Sequence, residues 1–130
     1  MVFIHCASTY KNKSNIEEVI YDAITRGRLE NISIINTDII YKTKQETKKN
    51  KLSKTQLKEL LSVIKTIDLN NINNLKPPTN NRLFDGAMHT TISIKKNGIM
   101  YTSITFDDSN PPKELNLLCK LIKSFVKDDE

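Results

Sequence analysis

The sequence predicts a single α+β domain, an antiparallel sheet of about five strands with two helices packed on one face. Three observations lead to this prediction. An Asn97-Gly98 dipeptide separates two alternating apolar runs, as in a hairpin, and two later stretches carry apolar residues at helical spacing. A chain of 130 residues that is 38% hydrophobic is long enough for one core. We therefore assign residues 17–130 to one domain and residues 1–16 to an N-terminal tail or the remnant of a lipoprotein signal.

The N-terminal half predicts three short strands. Residues 18–25 are rich in β-branched and aromatic side chains, which favours a strand, although Ser14 and Glu17 also fit a helix capping box. A turn at Arg26-Gly27 follows, and residues 32–35 and 39–43 form the next two strands. The stretch 44–51 is almost entirely charged or polar, so we expect a solvated connection there.

Two helices are predicted. Ser53 with Gln56 three residues later forms a capping box, so the first helix begins there. Pro111-Pro112 suits the start of the second, since the first helical N–H groups have no intrahelical partner. In the long connection 68–86, the spacing of apolar residues predicts one short helical turn, and Leu83 and Phe84 are expected to anchor its far end.

The register of the hairpin depends on its turn. A two-residue Asn97-Gly98 turn would divide the apolar residues between the two faces of the sheet. A three-residue loop, residues 96–98 with a glycine bulge, keeps them together, and we predict that loop. The shared core face then includes the following apolar residues: Ile92, Ile94, Met100, Ile104 and Phe106. The opposite face carries His89, Thr91 and Ser103.

Composition argues against several functions. The net charge is +5, but the excess is nearly all lysine, and the only arginines are Arg26, Arg28 and Arg82. Nucleic-acid sites usually need arginine forks and stacking aromatics, so nucleic acid is not an expected partner. His5 and His89 are the only histidines, and the sequence has neither a glycine-rich phosphate loop nor a cysteine–histidine signature. We expect no enzymatic activity, no cofactor and no metal.

The two cysteines have different surroundings. Cys119 lies on the apolar stripe of the second helix and is expected to be a buried thiol. Cys6 follows a short apolar run and precedes small polar residues, as at the end of a bacterial lipoprotein signal, but only five residues precede it and none of them is Lys or Arg. Two interpretations stay open, a truncated lipoprotein start with Cys6 as the lipidation site, or a short strand or tail. The first predicts a cell-envelope location, and the second a cytoplasmic one.

Four short motifs carry a resemblance to a known family. They are Thr25-Arg26-Gly27, Pro78-Thr79-Asn80-Asn81-Arg82-Leu83-Phe84-Asp85-Gly86-Ala87, Tyr101-Thr102-Ser103 and Phe106-Asp107-Asp108-Ser109-Asn110-Pro111-Pro112. Together they resemble small bacterial proteins, found mainly in Bacteroidetes-type bacteria and often carrying lipoprotein signals, for which no activity is known. The resemblance implies an envelope location. The family pattern tends to read Phe-Asp-His-Gly before the prolines, whereas Asp108 and Ser109 stand here, so no role for a histidine carries over.

The candidate binding residues are Arg26, Arg82, Asp85 and Asp107. Two arginines near carboxylates can hold an anionic group through bidentate hydrogen bonds. Alternatively, Arg82–Asp85 or Arg26–Asp107 pairs hold the loop against the sheet. The acidic residues here lack the spacing of a calcium loop.

Two functional hypotheses follow. The first is a non-enzymatic binding or interaction domain for a protein partner at the cell envelope, which meets the membrane only through a lipid anchor. The second is a cytoplasmic immunity-type protein that neutralises a toxin. The oligomeric state stays open.

Overall fold

The computed structural model describes residues 15–127, and within this range the chain is an α+β domain, as predicted. The sheet has seven strands, more than the five or so predicted. The strands are β1 (Ile16–Thr25), β2 (Arg28–Ile35), β3 (Asp38–Thr43), β4 (Thr47–Lys51), β5 (His89–Lys96), β6 (Ile99–Thr102) and β7 (Phe106–Asp107). The helices are α1 (Lys54–Lys65) and α2 (Lys113–Val126), with two 3-10 turns between α1 and β5 (Leu69–Asn74 and Asn81–Phe84).

All strand pairs are antiparallel, in the order β4-β3-β2-β1-β5-β6, and β7 pairs with β5 beyond the end of β6. The alternation of β1 places Tyr21 between Ile32 of β2 and Ile92 of β5. All three side chains are buried, as are those of the next core-facing set, Val19, Ile34 and Ile94. These residues form one core cluster with residues of both helices, including Leu60, Ile64, Leu115, Leu118 and Ile122.

Strand β4 corrects the prediction of a solvated connection at 44–51. Residues 47–51 pair with β3 at one edge of the sheet, and all five are exposed. An edge strand with both faces in water needs no alternation of apolar residues, so the pattern used to find strands was missing. The ammonium of Lys51 lies 2.7 Å from the carboxylate of Asp38, its neighbour in the pairing.

The predicted three-residue hairpin loop is wrong. Lys96 pairs directly with Ile99, so Asn97 and Gly98 alone form the turn. Both residues have positive φ, 53° and 78°, as a type I′ turn requires. The apolar residues still reach the core because the second strand does not continue regularly.

A one-residue irregularity after β6 returns the apolar residues that follow it to the core face of the sheet. The Ser103 N–H donates to the Ile92 carbonyl at 2.8 Å, but the Ile92 N–H donates to the Ser103 hydroxyl at 3.0 Å instead of to a backbone carbonyl. Two residues before Ile92 on β5, Thr90 pairs with Phe106, whereas the hairpin register would pair it with residue 105. Phe106 is therefore buried as predicted, whereas Ile104 is only half-buried and Met100 is exposed.

The corrected register also moves Ser103. It is buried on the core side, so it does not share the polar face of His89 and Thr91 as predicted.

The helices begin where the sequence predicts. The Ser53 hydroxyl accepts from the Gln56 N–H at 3.1 Å, and the Gln56 side chain accepts from the Ser53 N–H at 2.9 Å. Pro112 is the N-cap of α2, and Cys119 is buried as predicted. Neither helix in the described part of the chain is long and apolar enough to cross a membrane. The predictions for His5 and Cys6 fall outside the described residues.

Candidate functional site

The carboxylate of Asp107 joins the long connection to the end of the hairpin. Asp107 is the last residue of β7, and its side chain is 0% exposed because residues 79–82 cover it. Phe106, its neighbour, is buried in the core, so β7 contributes one residue to the core and one to the loop. We call residues 77–86 the presented loop.

Asp107 accepts four hydrogen bonds from the presented loop. Its Oδ2 atom accepts from the Thr79 hydroxyl at 2.5 Å and from the Asn81 N–H at 2.8 Å. Its Oδ1 atom accepts from the Arg82 N–H and from Arg82 Nη1, both at 3.0 Å. Arg82 Nη1 also donates to the Thr79 carbonyl at 3.0 Å, so one guanidinium nitrogen connects the Asp107 carboxylate to the loop backbone.

This arrangement explains why Asn81–Phe84 forms a 3-10 turn. The first N–H groups of any helical turn need acceptors, and Asn80 at the N-cap supplies no side-chain hydrogen bond. Asp107, distant in sequence, accepts from the N–H groups of Asn81 and Arg82 instead. The turn therefore depends on β7 for its cap.

The electrostatics agree with an ionised Asp107. Burial alone would raise the pKa of Asp107, but hydrogen bonds from the Thr79 hydroxyl and from the backbone and side chain of Arg82 outweigh it and lower the pKa to about 2. Arg82 is itself buried, so the pair forms a shielded ion pair. The next residue, Asp108, makes a second connection to the start of β5, because its Oδ1 atom accepts a hydrogen bond from the Met88 N–H at 3.0 Å.

The presented loop holds two large apolar side chains in water. Leu83 is 62% exposed and Phe84 is 82% exposed, although the sequence predicted that they anchor the loop. Asp85 follows with a φ of 62°, and the Gly86 N–H closes the turn on the Asn81 carbonyl at 2.8 Å. The backbone beneath Leu83 and Phe84 is thus fixed at both ends while their side chains are free.

The four predicted binding residues divide into two pairs. Arg82 and Asp107 form the buried joint, whereas Arg26 and Asp85 are exposed and line a shallow cavity of about 360 Å³ beside the loop. Neither of the two structural pairs suggested by the sequence, Arg82–Asp85 and Arg26–Asp107, forms among the described residues.

Sequence reasoning missed three kinds of site residue. Thr79 gave no signal, since its role requires the fold to bring it to Asp107. Leu83 and Phe84 look like ordinary core residues in a sequence. Arg28, which lines the same cavity as Arg26, could have been found from the two arginines that flank Gly27.

The charged groups of the buried pair are engaged with each other and with the backbone of the presented loop. Asp107 has every oxygen engaged in holding the loop, and Arg82 is directed at the same carboxylate. In residues 15–127 no group of three His, Cys, Asp or Glu side chains is placed to hold a metal ion. No protein-family model, curated protein or solved structure matches the chain.

Proposed function

We propose that this protein is a non-enzymatic interaction domain that recognises a protein partner through the presented loop. The observation that carries the proposal is the exposure of Leu83 and Phe84 on a turn whose backbone is fixed by the buried Asp107–Arg82 pair. Both helices share one core with the sheet, and we infer that they cover a single face, which leaves the loop accessible at the end of the hairpin.

Rigidity and exposure together support recognition. Two adjacent large apolar side chains in water gain nothing for folding, whereas burying an aromatic side chain in a partner contributes strongly to binding. A loop that is already ordered loses less conformational entropy when it binds. Four hydrogen bonds to one carboxylate provide that order before any partner arrives.

A site-specific photo-crosslinker tests the proposal. With the photoreactive residue in place of Phe84, cells of the native host should yield an adduct with a protein partner, and Leu83→Ala in the same chain should reduce its yield. The matched control carries the photoreactive residue at Ile99, which is 55% exposed at the hairpin turn. That position lies about 20 Å along β5 from the end that holds the loop.

The results distinguish specific recognition from nonspecific association. An adduct that forms from position 84, weakens with Leu83→Ala and is absent from position 99 supports the proposal. The same adducts from both positions, or none from position 84, contradict it.

We further propose a cell-envelope location through lipidation of Cys6, in keeping with the resemblance to envelope proteins. Cys6→Ser should then move the protein from the membrane fraction to the soluble fraction, because acyl chains rather than the protein surface hold it there. Equal partition of both forms would remove this idea. It would favour the alternative, a cytoplasmic immunity-type protein that uses the same loop to neutralise a toxin.

A further inference from the structure

We propose that the partner segment bound by the presented loop is acidic as well as apolar, and that Arg26 and Arg28 bind its carboxylates. This inference rests on the proposed function and specifies the chemistry of the partner. It is carried by two exposed arginines that line a cavity together with Asp85 and Gly86 of the presented loop.

The turn between β1 and β2 brings the two arginines to the loop. Arg26 and Arg28 flank Gly27, whose φ of 86° gives the tight reversal. Both arginines line the shallow cavity together with Asp85 and Gly86 of the presented loop. Asp85 directly follows Phe84 in the chain, so the charged cavity and the exposed apolar pair share the presented loop.

The guanidinium groups of this cavity are available. In the part of the chain that the structure describes, neither Arg26 nor Arg28 makes an ion pair or a side-chain hydrogen bond, and both are exposed. Asp85 contributes one negative charge to the same lining. The cavity therefore holds two positive charges against one negative charge, and a carboxylate from outside would complete the balance.

The combination of groups favours an acidic peptide segment. A guanidinium matches a carboxylate through two parallel hydrogen bonds, and two of them at one cavity select for charge position as well as sign. Inorganic phosphate could use the arginines but would leave Leu83 and Phe84 in water. A segment with acidic residues beside a large apolar residue uses both parts of the surface.

The expected contribution of the charges is modest. Exposed ion pairs change an equilibrium constant by about two- to fivefold each, and they act more on specificity and association rate than on affinity. The effect should also weaken as salt screens it. The most informative measurement is therefore the amino-acid composition of the peptides that the protein selects.

A random-peptide display library provides the test. It is selected in parallel on four forms of the full chain: wild type, Arg26→Glu/Arg28→Glu, Leu83→Ala/Phe84→Ala, and a control, Lys54→Glu/Lys58→Glu. The control changes two exposed lysines on α1 and so alters the net charge by the same amount. Circular dichroism melts confirm that all four forms are folded.

The inference predicts that wild type and the lysine control enrich peptides with Asp or Glu beside a large apolar residue. Arg26→Glu/Arg28→Glu should lose the acidic enrichment and keep the apolar one. If acidic enrichment is equally reduced by the lysine control, general charge explains it and the inference is overturned. If wild type enriches apolar peptides without acidic residues, the inference also fails while the proposed function stands. Selection that Leu83→Ala/Phe84→Ala leaves unchanged would overturn both.

Discussion

The carboxylate of Asp107 contacts Arg82 twice through the same oxygen, once at the backbone N–H and once at the guanidinium, each at 3.0 Å. The backbone contact sets the turn, and the side-chain contact neutralises a buried charge. Removing one member of a buried pair typically costs about 3–5 kcal/mol, because the other charge is left without a partner. The position of Leu83 and Phe84 therefore depends on this pair.

Replacing Arg82 with lysine separates charge from geometry. Lysine keeps the positive charge but loses the planar guanidinium, whose Nη1 atom donates to both Asp107 and the Thr79 carbonyl. We expect a loss of about 1–3 kcal/mol in the free energy of unfolding, measured by urea titration, because a charged hydrogen bond is lost. The yield of the crosslinked adduct from position 84 should show a larger relative decrease than the free energy of unfolding does.

The control for this substitution is Arg28→Lys, which is exposed and should leave stability unchanged. Equal crosslinking yields from wild type and Arg82→Lys would show that the geometry of the loop does not matter for recognition.

Acid should destabilise the protein through Asp107. Its pKa falls from 3.8 to about 2 in the folded state, so at low pH the unfolded chain takes up this proton first. The stability that depends on the Asp107 charge is present above pH 3.8 and is lost as the pH falls through about 2. Urea titrations across this range should show a steeper loss for wild type than for Asp107→Asn, which lacks the ionising group. Parallel pH profiles for the two forms would mean that Asp107 is not the source.

Ser103 should contribute more to the free energy of unfolding than an exposed serine does. Its hydroxyl replaces a backbone carbonyl as the acceptor for the buried Ile92 N–H, so Ser103→Ala leaves that donor without a partner. We expect a loss of about 1–3 kcal/mol in urea unfolding. The control is Ser93→Ala, which removes an exposed hydroxyl contact with Thr102 and should cost under about 0.5 kcal/mol. Similar losses at the two positions would argue against the role of Ser103 in the irregularity.

Cys119 should resist thiol reagents while the protein is folded. Burial raises the pKa of its thiol to about 12, so almost none is ionised near neutral pH. In a Cys6→Ser chain, which has no other thiol, 5,5′-dithiobis(2-nitrobenzoate) should react only as fast as the protein opens. A Leu117→Cys variant of this chain provides the reference, since position 117 is exposed on the same helix. Rapid modification of Cys119 in the folded chain would contradict the buried placement.

The elements that could be predicted from the sequence are those whose pattern lies within a few neighbouring residues. The capping box at Ser53 and the β-branched and aromatic content of residues 18–25 depend only on neighbouring residues, and both predicted their elements correctly. Strand β4 lacked such a signal because it buries nothing. The hairpin register failed because a serine side chain substitutes for backbone at one position, which no pattern of apolar residues reveals.

The candidate site shows the same limit. Arg82 and Asp107 were both candidates from the sequence, but their pairing joins residues far apart in the chain and could be found only from the fold. The exposure of Leu83 and Phe84 could not be predicted, since an apolar residue in a sequence carries no signal that distinguishes a buried position from an exposed one.

The lysines of β4 also affect how copies of the protein behave together. In the described residues no strand pairs with the outer side of β4, so its backbone groups there could add a strand from another molecule. Lys48, Lys49 and Lys51 oppose this, because charged side chains along an edge resist sheet-to-sheet joining and aggregation. Copies crowded together would thus be kept from polymerising through this edge.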